Sequence, residues 1–132
     1  MALRISRALL AQMLAHATST PEREVCGLLF GIPEKEVSEI QPCANVAADP
    51  TRSFEVDPAA LIAAHKAERC GGPLLVGWYH SHPNGHAVPS ACDRNAAIEA
   101  GRIWLIVAQG LVRAWRADGA AGFSEVAIDM IG

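Results

Sequence analysis

The chain has 132 residues, 51% of them apolar and 19% charged, with a formal net charge of −3. That length accommodates one domain with its own core, so 1–132 is read as a single domain. The composition excludes a disordered chain. No Lys/Arg run and no series of stacking aromatics points to nucleic acid, and no apolar run of about 18 residues points to a membrane. The four cysteines, Cys26, Cys43, Cys70 and Cys92, form no C-x-x-C pair, although two disulfides are formally possible. Ala2–Ala15 is amphipathic and lacks the apolar core and cleavage site of a secretion signal, so the expectation is a cytoplasmic protein with reduced thiols.

Leu9, Leu10, Met13 and Leu14 recur at helical spacing and predict a helix over Arg7–Ala17, capped by Ser6 and stopped before Pro21. Val25–Gly31 reads as a buried strand, and Glu36–Pro42 as its hairpin partner. Cys43–Ser53 is a loop and Phe54–Val56 a short strand. Asp57-Pro58 starts a helix that runs to about Cys70 and ends at Gly71-Gly72. Leu74–Tyr79 is a strand that delivers a His-, Pro- and Gly-rich loop over His80–Pro89. A helix follows over Ser90–Ala100, then strands at Ile103–Ala108, Leu111–Arg116 and Glu125–Ile131, with turns at Gln109-Gly110 and Asp118–Gly122. The order predicts an α/β arrangement of the α+β sandwich kind: one curved, mostly antiparallel sheet flanked by helices.

The informative stretch is His80-Ser81-His82-Pro83 followed by Pro89-Ser90-Ala91-Cys92-Asp93. Strand side chains alternate, so His80 and His82 share one side, about 7 Å apart along the chain, if the strand persists that far. Asp93 then falls in the first turn of the next helix. Two imidazoles and one carboxylate, with a fourth position left to water, are the ligand set of a catalytic zinc site. The water needs a base, and spacing alone does not choose among fourteen acidic residues. Glu24 is attractive because it enters a buried strand, where desolvation raises a carboxyl pKa.

Glu24-Val25-Cys26-Gly27, then His80-Ser81-His82-Pro83, six residues (Asn84–Pro89), then Ser90-Ala91-Cys92-Asp93 resembles the JAMM (MPN+) metalloprotease family, in its small prokaryotic form. Trp78-Tyr79, Asn45 and Phe54–Pro58 also look family-like. The resemblance implies a curved sheet flanked by helices, Zn2+ held by His80, His82 and Asp93, Glu24 as general base, and Ser90 helping to stabilise the oxyanion. It implies hydrolysis of a peptide or isopeptide bond. A ubiquitin-like or sulfur-carrier protein with a Gly-Gly tail is one expected substrate, and a cell-wall or other small peptide is another. A non-catalytic scaffold of the same fold is the reading from a different class. The oligomeric state is left open.

Bland alternatives stand beside these assignments. Ser90 with Asp93 three residues on reads equally as a capping box. Glu24 can be a plain surface acid. His86 reads as a loop residue or substrate contact, because a fourth protein ligand would displace the water. His16 and His65 read as surface positions on helices, Cys26 as a small buried residue, and Cys92 as a packed or half-exposed thiol. Trp78 either walls the site or belongs to the core.

Overall fold

The computed structural model describes residues 2–97 and 99–132. Its elements are β1 (Ala2–Ser6), α1 (Arg7–Ser19), β2 (Cys26–Ile32), β3 (Glu36–Cys43), α2 (Pro58–Arg69), β4 (Leu74–Ser81), α3 (Ala91–Ala96), β5 (Ile103–Ala108), β6 (Leu111–Ala117) and β7 (Phe123–Ile131). The caps fall where composition placed them. The Ser6 hydroxyl accepts from Leu9 N at 3.2 Å, and the Asp57 carboxylate accepts from Ala59 N at 3.0 Å with Pro58 opening α2. Gln109 and Gly110 both have positive φ (52° and 74°), the turn a two-residue hairpin needs between Ala108 and Leu111.

The sheet corrects the sequence reading. It is a closed barrel in the order β1-β3-β2-β4-β5-β6-β7, not an open curved sheet flanked by helices. Closure depends on β1, which the sequence reading missed. Leu3 and Ile5 are fully buried while Ala2 and Arg4 are exposed, a period-2 pattern only five residues long that runs straight into α1. β1 pairs in parallel with β7 (Ala2 opposite Ala127 through Ser6 opposite Ile131) and, over Arg4 and Ile5, with β3. β4 and β5 are also parallel, joined by a crossover through α3, so antiparallel pairing holds in four of the seven contacts around the circuit. Phe54–Val56 is not a ladder strand; Val56 makes one isolated bridge to Asn45. The helix expected over Ser90–Ala100 ends at Ala96, and Ile98 lies outside the described residues.

β2, β4 and β5 are covered on both faces, which is why their sequences run apolar without alternation. Inward, Val25, Leu29, Val76, Tyr79, Leu105 and Val107 pack with Met13 of α1, flanked by Leu9, Leu10 and Leu14. Outward, Leu28, Phe30 and Leu75 pack with Ala64 of α2. Trp104 lies against Trp78, Phe54 and Phe123. Gly27 is required where it stands: a Cβ there would lie 2.2 Å from Cε1 of Tyr79 and 2.6 Å from the Gln41 carbonyl oxygen. The Tyr79 ring occupies that space, one residue before His80.

Candidate metal centre

β4 persists to Ser81, and His82 N donates to the Val107 carbonyl at 2.8 Å, so extended pairing continues one residue further. Alternation therefore turns His80 and His82 the same way, while Ser81 turns inward and its Oγ accepts from Val25 N at 2.9 Å. The two Nε2 atoms are 3.1 Å apart. Asp93, in the first turn of α3, places Oδ2 3.1 Å from His80 Nε2 and 3.0 Å from His82 Nε2. Around a tetrahedral ion with bonds near 2.05 Å, ligand atoms stand about 3.3 Å apart, so these three are nearly spaced for one.

Glu24 lies two residues before β2, 5% exposed, and its Oε1 is buried without a hydrogen-bond partner among the described residues. One ligand atom from each of Glu24, His80 and His82 falls within 4.8 Å of the others, a set that can itself hold a metal ion. Asp93 is nearer to both imidazoles, which favours it for direct ligation and leaves Glu24 facing the site with a free oxygen.

The electrostatics suit a cation. Burial lowers the His80 pKa and keeps that imidazole neutral, as a ligand must be. Burial opposes ionisation of Asp93, but its contacts with the His80 and His82 imidazoles outweigh it and hold the carboxyl well below its usual range. At His82 burial is likewise outweighed: the bonds to Asp93 and to the His86 carbonyl push its pKa up. Burial drives Glu24 to about 7, helped by Asp93 and opposed by His82. A buried imidazole, a half-buried one, an ionised carboxylate and an orphaned buried carboxylate oxygen together fit a divalent ion of the zinc type.

The structure thus brings Glu24, His80, His82, Ser90 and Asp93 together. Ser90 makes the full capping box: its Oγ accepts from Asp93 N at 3.1 Å, and its own N–H donates to Asp93 Oδ2 at 2.9 Å. Two supporting residues were not foreseen. The His86 main-chain carbonyl accepts from His82 Nδ1 at 2.8 Å, which directs Nε2 into the site, while the His86 side chain stays outside it. Phe54 stacks on the His80 ring, centroids 4.2 Å apart and planes 18° from parallel. A backbone acceptor leaves no trace in residue type, and Phe54 read as a strand residue. Trp78 packs with Trp104 and so belongs to the core behind His80. His16 corrects the expectation of a surface position: its Nδ1 lies 2.7 Å from the Tyr79 hydroxyl. His65 is half-buried, with its Nδ1 3.8 Å from a Glu68 carboxylate oxygen. All four cysteines are free, Cys26 buried and Cys92 exposed. A cleft of about 300 Å³ flanks Glu24, lined also by His16, Arg23, Cys43 and Asn45.

Comparison with known proteins agrees with this geometry. Residues 6–118 match the family described as prokaryotic homologs of the JAB domain. The chain is 41% identical over 91 residues to a desampylase of Haloferax volcanii, covering 68% of this chain and 66% of the relative. It is 38% identical over 89 residues to the "Probable TtuB-protein conjugate cleaving protease" of Thermus thermophilus, covering 67% of this chain and 59% of the relative. The chain therefore spans somewhat less than two thirds of either relative. The solution structure of a protein from Desulfitobacterium hafniense superposes with a TM-score of 0.84 at 28% identity, covering 98% of this chain and 92% of that one. With the family match running through Glu24, both histidines and Asp93, the chain belongs to the prokaryotic homologues of the JAB domain.

Proposed function

We propose that the chain is a zinc metallopeptidase that hydrolyses a peptide or isopeptide bond at the tail of a ubiquitin-like or sulfur-carrier protein. The observation that carries this reading is the convergence of His80 Nε2, His82 Nε2 and Asp93 Oδ2 within 3.1 Å, with a carboxylate oxygen of the buried Glu24 within 4.8 Å of both imidazoles. The names of the Haloferax and Thermus relatives support the substrate class. The four free thiols fit a reducing cytoplasm. No described helix is long and apolar enough to cross a membrane.

Zinc, when bound by His80, His82 and Asp93, supplies Lewis acidity and brings the pKa of water near roughly 7. Glu24, held near 7 by burial, accepts the proton of the attacking water and passes it to the departing amine. The His86 carbonyl fixes the His82 tautomer. The Ser90 hydroxyl accepts from Asp93 N and keeps its own proton available to a developing oxyanion.

The test is metal content and cleavage of a Gly-Gly-tailed conjugate, measured on wild type, Asp93→Ala and Glu24→Gln. About one zinc per chain in the wild type and in Glu24→Gln, with turnover in the wild type alone and zinc lost from Asp93→Ala, is the expected pattern. Wild-type protein that takes up no zinc would turn the reading to a non-catalytic scaffold. Zinc binding with cleavage only of other small peptides would keep the chemistry and change the substrate.

A further inference from the structure

The ladder of β2 begins at Cys26 and its pairing with β4 reaches one residue further, where the Val25 carbonyl accepts from Ser81 N at 3.1 Å; Glu24 stands just beyond it. Its backbone is tethered in another way. Glu24 N donates to the Pro50 carbonyl at 2.7 Å, and Val25 N donates to Ser81 Oγ at 2.9 Å. The Glu24 carbonyl accepts from Asn45 Nδ2 at 2.9 Å.

Asn45 does more than hold one carbonyl. The same Nδ2 donates to the Ser53 carbonyl at 3.0 Å, and Oδ1 accepts from Ala47 N and Glu55 N, each at 3.0 Å. Both amide protons and both lone-pair directions are used, which is the full capacity of the side chain. The partners also fix the amide's orientation, since a flip would set its protons against the N–H groups of Ala47 and Glu55. Between Ser53 and Glu55 lies Phe54, the residue stacked on His80. One side chain therefore joins the segment that carries Glu24 to the segment that walls the first histidine. Aspartate keeps only the acceptors, and glutamine is longer by a methylene.

We infer that Asn45 is a positioning residue that holds Glu24 in register with the pair His80–His82. It touches neither reacting atoms nor metal and acts through the Glu24 main chain. The inference rests on the reading of Glu24 as the base.

The experiment compares zinc-loaded wild type, Asn45→Asp, Asn45→Ala and Glu24→Gln on a fluorogenic Gly-Gly-amide peptide that the wild type cleaves. Asn45→Asp removes both donors and keeps the acceptors, and Asn45→Ala removes all four bonds without adding charge. Both are expected to keep one metal per chain and an unchanged cobalt absorption spectrum after metal exchange. Both should lose about 10- to 100-fold in kcat with KM within about twofold, the scale on which small misplacements act. In the Glu24→Gln background, Asn45→Ala should cost nothing further. A kcat within about twofold of wild type in either variant overturns the inference. So does loss of metal together with rate, or failure of both variants to fold, because Asn45 would then serve the ligands or the fold. An active Glu24→Gln would instead overturn the assignment of the base.

Discussion

At the scale of single residues, the site sets a buried acid against folding. Burial raises the Glu24 carboxyl from its ordinary 4.5 to about 7 in the folded chain. Between those values the folded, metal-free chain binds more protons than the unfolded one, so stability falls as pH rises through that window. The contribution is fully present below about 4.5 and lost above about 7. At about 1.4 kcal/mol per unit, as much as about 3 kcal/mol is at stake. Metal-free Glu24→Gln should therefore be more stable than wild type at pH 8, with the difference closing towards pH 4.5, as read by urea unfolding at a series of pH values. Ser90 separates in a similar measurement. Its cap predicts that Ser90→Ala loses about 1 kcal/mol, while a role at the oxyanion predicts a fall in kcat beyond what that destabilisation explains. The residues proposed to bear the chemistry could be picked out of the sequence because the candidate ligands come from one strand end and one helix turn, separated by a short loop. Phe54 and the His86 carbonyl could not, since stacking and main-chain acceptance depend on how distant segments meet.

At the scale of elements, the helices announced themselves through Ser6, Asp57-Pro58 and Ser90, and the buried strands through their apolar runs. β1 escaped because Leu3 and Ile5 supply only two turns of alternation before the helical pattern of α1 takes over. α3 is shorter than expected because the backbone leaves helical geometry at Ala97 (φ −85°, ψ 61°), after its N–H has closed the last helical turn on the Asp93 carbonyl at 3.0 Å. The packing of β2 on β4 gives a direct test. Gly27→Ala forces a methyl into the Tyr79 ring and the Gln41 carbonyl. It should cost about 1–3 kcal/mol, measured by thermal unfolding of the metal-free protein. Because Tyr79 precedes His80, zinc affinity should fall with it.

At the scale of the whole molecule, the proposed ligands are drawn from two elements and the loop between them, so the proposed metal binding would favour the folded barrel. A ligand that binds the native state at about 1,000 times its dissociation constant adds roughly 4 kcal/mol, or about 10–15 °C in a chain of this size. Chelation should lower the wild-type unfolding midpoint by about that much and leave Asp93→Ala unmoved. A smaller shift would mean that the three groups close poorly around the ion. The closed circuit itself was beyond sequence reasoning. Nothing in Phe123–Ile131 distinguishes an edge strand from one that will lie beside Ala2–Ser6.

That last pairing has a consequence for synthesis. Ribosomes release the chain from its amino end, so Glu24 through Asp93, the groups of the candidate metal centre, emerge well before Phe123–Ile131. Until then β1 lacks one of its two neighbours, and is tied to β3 by only Arg4 and Ile5. At that stage the proposed ligands sit on a barrel whose β1–β7 seam is still open. Capture of the proposed ion in step with translation would therefore depend on β7, far along the polypeptide from the groups proposed to hold it.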